Sequence, residues 1–290
     1  MASIRDIRRR IRSVKGTAQI TKAMQMVASS KMRKAQQSAV NGRPFATLAN
    51  EVMAHAAADT GDFTHALIEV RDVRRRGVIL ISTDKGLCGA LNSNLFREVV
   101  KYDTGTTSFV AVGKKAAQFL ARTRRKLVAE FTYHDTPTYG ECQAIAKCVK
   151  DLFLEGEVDE VEVLYSRFLN TLSQRPDHRL VLPMGEVKTL KATTPGQEPA
   201  PAPTAMDHIF EPGPNEVMEA LLTYLLDFQI NQLLLESRAS EHSARMVAMK
   251  NATENAEQLI KDLTLEANKM RQAGITKELL EIATAQMAVA

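Results

Sequence analysis

The sequence runs to 290 residues, with 38 basic and 34 acidic side chains, 44% apolar residues, 5% aromatic residues and no Trp. A chain of that length builds one large domain or two, and so few aromatics suit extended helices better than one thick core. No apolar run approaches the roughly 18 residues of a membrane span, and three cysteines without a Cys-x-x-Cys pair or a signal-type start point to reduced thiols.

The net charge of +4 is mild, but it is unevenly placed. Residues 1–43 carry eleven bases against Asp6 alone, so one part of the molecule is strongly positive and its partner is expected to be acidic. Ser3 is positioned to cap a helix in which Ile4, Ile7, Ile11, Val14 and Ala18 step by three and four. The stripe is expected to shift through Thr17, Ile20, Met24 and Val27, then continue as Ala28, Ala35 and Ala39. Gly42-Arg43-Pro44 should kink or interrupt the helix, with Phe45 to Ala58 as its continuation. A basic helix also admits a nucleic-acid reading, but a DNA-reading helix would keep polar the face that Ile4, Ile7, Ile11 and Val14 make apolar. The Arg-rich start mimics a mitochondrial transit peptide, yet its pattern continues through residue 40 without a cleavage-like break.

The period then changes. Arg76-Gly77 precedes the apolar run of residues 78–82, which suits a buried strand. Residues 92–102 read as helix, 107–112 as strand, 114–123 as helix, 126–131 as a short strand and 139–155 as helix. Val161, Val163 and Tyr165 alternate as a strand, and residues 180–187 return after turn residues 173–177 as an antiparallel edge. Strands alternating with helices imply a small α/β domain with a largely parallel sheet. Prolines 195, 199, 201 and 203 mark an extended loop, and Glu211-Pro-Gly-Pro214 sets up the next helix.

From Asn215 to Ala290 the chain has no proline and one glycine, Gly274. Apolar residues from Leu221 through Met270 fall on one alternating four-three spacing, with Gln232, His242 and Thr253 as polar intrusions. A period of 3.5 kept so long calls for a partner helix and a left-handed supercoil, which the N-terminal helix would supply by packing antiparallel. A bundle of two or three shorter helices is the alternative. The last nine residues, 282–290, carry no charge and are expected to enter an apolar environment. The resulting fold class is α/β: a long antiparallel coiled coil of the terminal helices with an inserted Rossmann-like domain. Its expected limits are 1–58, 70–210 with a Pro-rich loop near 191–206, and 211–290.

Chemistry is sparse. The turn Thr83-Asp-Lys-Gly-Leu-Cys-Gly89 follows a buried strand and precedes a helix, where phosphates bind in α/β sheets. Its spacing is Gly-x-x-Gly, however, and a tight turn with exposed Lys85 competes with a nucleotide site. Cys88 near a helix start lacks an evident His partner, and the six histidines show no metal-ligand spacing. His242 reads as a register-setting polar group, and the Glu278–Glu281 pair as a solvated face. Enzyme activity, a metal and a cofactor are therefore not expected.

Four stretches in this order resemble one family: residues 20–34 (ITKAMQMVASSKMRK), 82–89 (STDKGLCG), 244–250 (ARMVAMK) and 275–282 (ITKELLEI). They resemble the gamma subunit of F-type ATP synthases along nearly the whole chain. The family's Leu-Cys-Gly-Ala turn appears as residues 87–90, and the redox cysteine insertion of plant members has no counterpart. The resemblance implies a non-catalytic central rotor shaft whose partners are the alpha and beta subunits, epsilon and the c ring. It implies a place on the inner face of a bacterial plasma membrane, or alternatively on a mitochondrial or chloroplast coupling membrane. Residue by residue, it sets Met24 and Arg245 against a beta lever loop, and Lys85 and Gly86 near the lower edge of beta. Arg271, Gln272, Thr276 and Glu278 would meet the catch loops of the ring. A methionine at position 24 could equally fill a gap in the seam, and a solvated face competes at Arg271. A non-rotary coiled-coil adaptor is the other functional class.

Overall fold

The structure, a computed structural model, describes residues 4–42, 44, 45, 48, 49, 52, 65–184, 211 and 213–289. Along the chain come α1 (Ile4–Asn41), β1 (Arg76–Ile81), α2 (Leu91–Val100), β2 (Thr107–Val112), α3 (Lys114–Arg122), β3 (Lys126–Phe131), α4 (Tyr139–Leu154), β4 (Glu160–Phe168), β5 (Gln174–Leu182) and α5 (Pro214–Val289). The chain divides into two compact units, one of residues 1–29 with 245–290 and one of residues 30–244.

The first unit pairs two helices through narrow seams. The covered positions of α1 run Ile4, Ile7, Ile11, Val14, Ala18, Thr21, Gln25 and Ala28. Those of α5 run Met249, Thr253, Ala256, Ile260, Leu263, Ala267, Met270 and Gly274. Both series alternate threes and fours without a slip, the 3.5-residue period of a left-handed coiled coil. The expected shift of the α1 stripe does not occur: Thr17, Ile20, Met24 and Val27 are exposed. The reason lies in two hydroxyls. Thr21 Oγ1 and Thr253 Oγ1 lie 2.7 Å apart and buried. Each also has the carbonyl of its own preceding turn in reach, Ala18 at 3.1 Å and Met249 at 2.8 Å, so one hydroxyl donates across the seam while the other donates to its own helix. Hydroxyls so satisfied can occupy a seam, so the stripe need not drift towards larger apolar residues.

The second unit is built on a five-stranded sheet of order β3-β2-β1-β4-β5. β1 pairs parallel with β2 and β4, β2 with β3, and β5 lies antiparallel along β4. Alternate side chains feed two cores. Ile79, Ile81, Val110, Val112, Val161 and Val163 meet Ile145, Val149 and Phe153 of α4 and Leu222, Leu226, Ile230 and Leu233 of α5. On the other face Val78, Leu80, Phe109 and Ala111 meet Leu95 and Val99 of α2 and Ala116 and Leu120 of α3. Near the start of this unit Gly42 packs against Gln232, and the Phe45 ring lies 5.0 Å from that of Phe228. As the chain advances from 42 to 45 its neighbour retreats from 232 to 228, so the terminal segments run antiparallel.

β2 and β3 have the bounds expected from sequence, and α2, α3 and α4 agree within one or two residues. β5 does not: it begins at Gln174, and residues 174–177 are strand rather than turn. Pro176 sits opposite Ser166 at the outer edge of the sheet, where a residue without an N–H loses no ladder bond. α1 ends at Asn41, before Gly42, and of the expected continuation to Ala58 only Phe45, Leu48, Ala49 and Val52 are described, all helical. The Ser3 cap and the Pro-rich stretch from 185 to 206 lie outside the described residues.

The threonine pair gives a direct test of the helix register. Thr21→Cys with Thr253→Cys should form a disulfide within one chain under mild oxidation, visible as a faster-migrating monomer on a non-reducing gel. Exclusive formation of crosslinked dimers would contradict the intramolecular pairing.

Candidate partner-binding surfaces

The 82–89 turn leaves the carboxyl end of β1, and the side chains of Ser82, Thr83 and Asp84 point inward. Ser82 Oγ accepts the Ala116 N–H at 2.7 Å. Thr83 Oγ1 donates to the Lys85 carbonyl at 2.8 Å and accepts from Asn92 Nδ2 at 2.7 Å. Asp84 Oδ1 accepts the Lys114 N–H at 3.0 Å, at the start of α3, where the helix dipole favours a carboxylate. Gly113 just before that helix has φ of 103°, and a Cβ there would stand 2.4 Å from the Ser82 carbonyl oxygen. Only glycine fits.

The other oxygen of Asp84 accepts from Arg238 Nη2 of α5 at 3.2 Å. Arg238 is covered, its side chain 4% exposed. Its Nη1 donates to Glu241 Oε2 at 2.6 Å and its Nη2 to the Tyr133 carbonyl at 2.5 Å. The guanidinium also stacks 3.8 Å from the Tyr133 ring centroid. Burial works against its charge, but Tyr133, Glu241 and Asp84 outweigh that and raise its pKa. Two residues after Tyr133, Asp135 Oδ2 accepts from Lys31 Nζ at 2.5 Å, and its Oδ1 lies 3.4 Å from His242 Nε2. Burial alone would raise the Asp135 pKa, yet Lys31, His242 and Arg238 together hold it below the usual carboxylate value.

This arrangement bears on the nucleotide reading. Open α/β sheets bind ligands outside the carboxyl ends of their strands. Here Arg238 bonds the loops that follow β1 and β3, so the turn serves as a brace for α5. Lys85, Gly86 and Leu87 remain on its exposed side, with Leu87 left-handed at φ of 64°. At the opposite edge lies a cleft lined by Arg76, Glu98, Tyr102, Glu162 and His178, in which Tyr102 Oη and His178 Nδ1 lie 2.8 Å apart. Cys88 and Cys142 are buried. Burial, with Glu141 and Asp227 nearby, pushes the Cys142 thiol up to about 12, and burial also raises Cys148. Neither of these two is poised as a thiolate.

In the helical unit Met24 is 40% exposed and shares an outward face with Ile20 and Val27. It is not a seam filler. Arg245 is half-buried, while Arg271, Gln272, Thr276 and Glu278 are all exposed. Those four are not one patch. At 3.6 residues per turn Arg271 and Glu278 stand about 20° apart around the helix, and Gln272 and Thr276 about 40° apart on a second face. Thr276 Oγ1 donates to the Gln272 carbonyl at 3.0 Å. From Ile275 to Thr284 every side chain is exposed, including Leu279, Leu280 and Ile282. Sequence reasoning missed the Arg238 cluster altogether. The available signal was Arg238 and Glu241 at i, i+3 in a stretch where apolar residues lie on both sides of the helix.

A family model described as ATP synthase matches residues 3–289. The ATP synthase gamma chain of Opitutus terrae is 48% identical over 294 residues, spanning 100% of both chains. That of Methylacidiphilum infernorum is 46% identical over the same length and coverage. Among solved structures, a central-stalk chain of the Tetrahymena thermophila mitochondrial ATP synthase superposes with a TM-score of 0.60 at 27% identity, covering 80% of this chain and 99% of that one. A chain of the Euglena gracilis mitochondrial enzyme gives 0.66 at 20% identity over 99% and 94%, a likeness of fold.

Asp135 supplies a pH test of the cluster. Its lowered pKa means that it contributes stability above the ordinary carboxylate pKa, lost as pH falls through the lowered value. Asp135→Asn should cost up to about 1 kcal/mol at pH 7, since the Lys31 pair is half-exposed and salt-screened. Thermal melts from pH 7 to pH 3 should show the gap to wild type closing towards acid; a gap independent of pH would contradict the assignment.

Proposed function

Because the chain belongs to the ATP synthase gamma chain family, we propose that it is the central rotor shaft of a proton-translocating F-type enzyme. Proton flow through the c ring turns the shaft inside an alpha3beta3 hexamer, and the asymmetric shaft drives the beta sites through different nucleotide affinities. The chain performs no bond chemistry itself. The helical pair engages the hexamer, and the α/β unit engages epsilon and the c ring. The functional divisions are residues 1–58, 70–210 and 211–290. The complex holds the chain on the inner, cytoplasmic face of a bacterial plasma membrane; among the described residues no helix is long and apolar enough to cross a membrane. The carrying observation is the full-length identity with gamma chains, end to end in both partners.

Except at the half-buried Arg245, exposure supports the contacts assigned to the shaft. Met24 and Arg245 meet a beta lever loop, Lys85 and Gly86 lie by the lower edge of beta, and Arg271, Gln272, Thr276 and Glu278 meet the catch loops. The two faces of those last four residues suit a sleeve that surrounds the helix rather than a partner that docks on one side. A non-rotary adaptor would share the coiled coil, and stoichiometry separates the two. The purified chain should co-purify as one copy with a hexamer that hydrolyses ATP; several copies, or an inert partner, would favour the adaptor.

Met24 tests the contact itself. A lysine there would set a cation beside lever-loop carboxylates, and a pair at ~4 Å gains about 1 kcal/mol in water and up to about 4 at an effective dielectric near 20. That holds the shaft in one position. Met24→Lys should hydrolyse ATP but pump protons poorly in membrane vesicles, with partial recovery at high salt, while Met24→Gln stays near normal. Equal defects in both variants would point to lost packing instead.

A further inference from the structure

We propose that Arg238 is the torque-bearing joint of this rotor, fixing the angular setting of α5 on the α/β sheet. The proposal rests on the rotor reading and adds the place where force crosses from helix to sheet. The apolar contact of α5 with the sheet, through Leu222, Leu226, Ile230 and Leu233, excludes water but has no direction. A helix on such a surface is held by shape alone. Arg238 adds bonds of fixed direction. Its rigid fork is oriented by Glu241 on its own helix and then reaches two anchors on the sheet, Asp84 after β1 and the Tyr133 carbonyl after β3. Asp84 is braced in turn by the Lys114 N–H of α3. The same loop that carries Tyr133 carries Asp135, which accepts from Lys31 of α1 and lies 3.4 Å from His242 Nε2 of α5. Both terminal helices are thereby pinned to one loop. Stability does not explain a covered arginine, because buried ion pairs are often replaceable by apolar residues without loss. Direction is what it supplies.

The test uses the assembled enzyme carrying Arg238→Met, Arg238→Lys or, as an interface control, Leu222→Ala. Three quantities are read: the ratio of proton pumping to ATP hydrolysis in vesicles, the angular spread of a bead on the α/β unit with the nucleotide-stalled hexamer fixed to glass, and the melting temperature of the free chain. Arg238→Met should lower the ratio at least threefold and broaden the spread. Arg238→Lys should recover part of both, as a point charge reaches one anchor but not two. Leu222→Ala should lower melting and leave ratio and spread unchanged. If Arg238→Met matches wild type, or matches Leu222→Ala in all three, the joint is refuted. Should Arg238→Met fail to assemble, Asp84→Asn removes one anchor and keeps the others; an unchanged spread there refutes the joint equally. A wild-type chain that neither assembles nor rotates would overturn the rotor reading, and the joint with it.

Discussion

A helix of 76 residues cannot stand in water on its backbone hydrogen bonds; something must cover its apolar side. Every other feature of the chain answers that demand. Between Met249 and Gly274 the cover is a second helix, and a stripe of about one residue per turn suffices. Between Met218 and Leu235 the cover is an α/β core, which takes residues from more than one stripe. Each leucine fully buried there contributes about 1.5–3 kcal/mol, so a few turns hold firmly. The two manners of burial also explain the composition. The coiled seam accepts alanine, threonine and methionine because its partner is close and narrow, while the sheet-facing stretch is leucine-rich because it must fill a broad surface.

Polar groups within these covers mark where position matters more than stability. The Thr21–Thr253 bond contributes little against water, yet a slip of the register would leave two buried hydroxyls without each other. The Arg238 cluster works on the same principle at higher stakes, since removing one member of a buried ionic group typically costs 3–5 kcal/mol. Apolar surfaces bring the elements together; these few directional bonds decide where they stop.

Most of the architecture was legible in the sequence because periodicity reports burial directly. The Thr107–Val112 and Lys126–Phe131 strands stand between turn residues, and nothing competes with their extended pattern. β5 was misread at its start because Pro176 and Asp177 carry turn chemistry, and local propensity cannot tell a turn from an edge strand that has solvent on one side. The α1 stripe was misread because Thr21 and Gln25 look unsuited to a seam when their partner 232 residues away is not considered. Arg238 was invisible for a related reason: a charged residue on a helix is solvated unless a second domain lies over it, and that is a tertiary fact. Exposed residues leave no periodic signature of what they touch, so the contacts proposed for Met24 and Arg271 came only from resemblance.

The bare end of α5 has a consequence for the chain before it is assembled. Among the described residues none covers the side chains from Ile275 to Thr284, so this end of the helix lacks the packing that supplies most helical stability. As the unshielded end of a longer helix this segment is the part most prone to fray, and it already exposes Leu279, Leu280 and Ile282. Enclosure by a partner removes both signals at once. An apolar tip that a partner would enclose is thus, until it is enclosed, the most vulnerable part of the chain, and helix–coil physics alone would make an unassembled copy easier to clear.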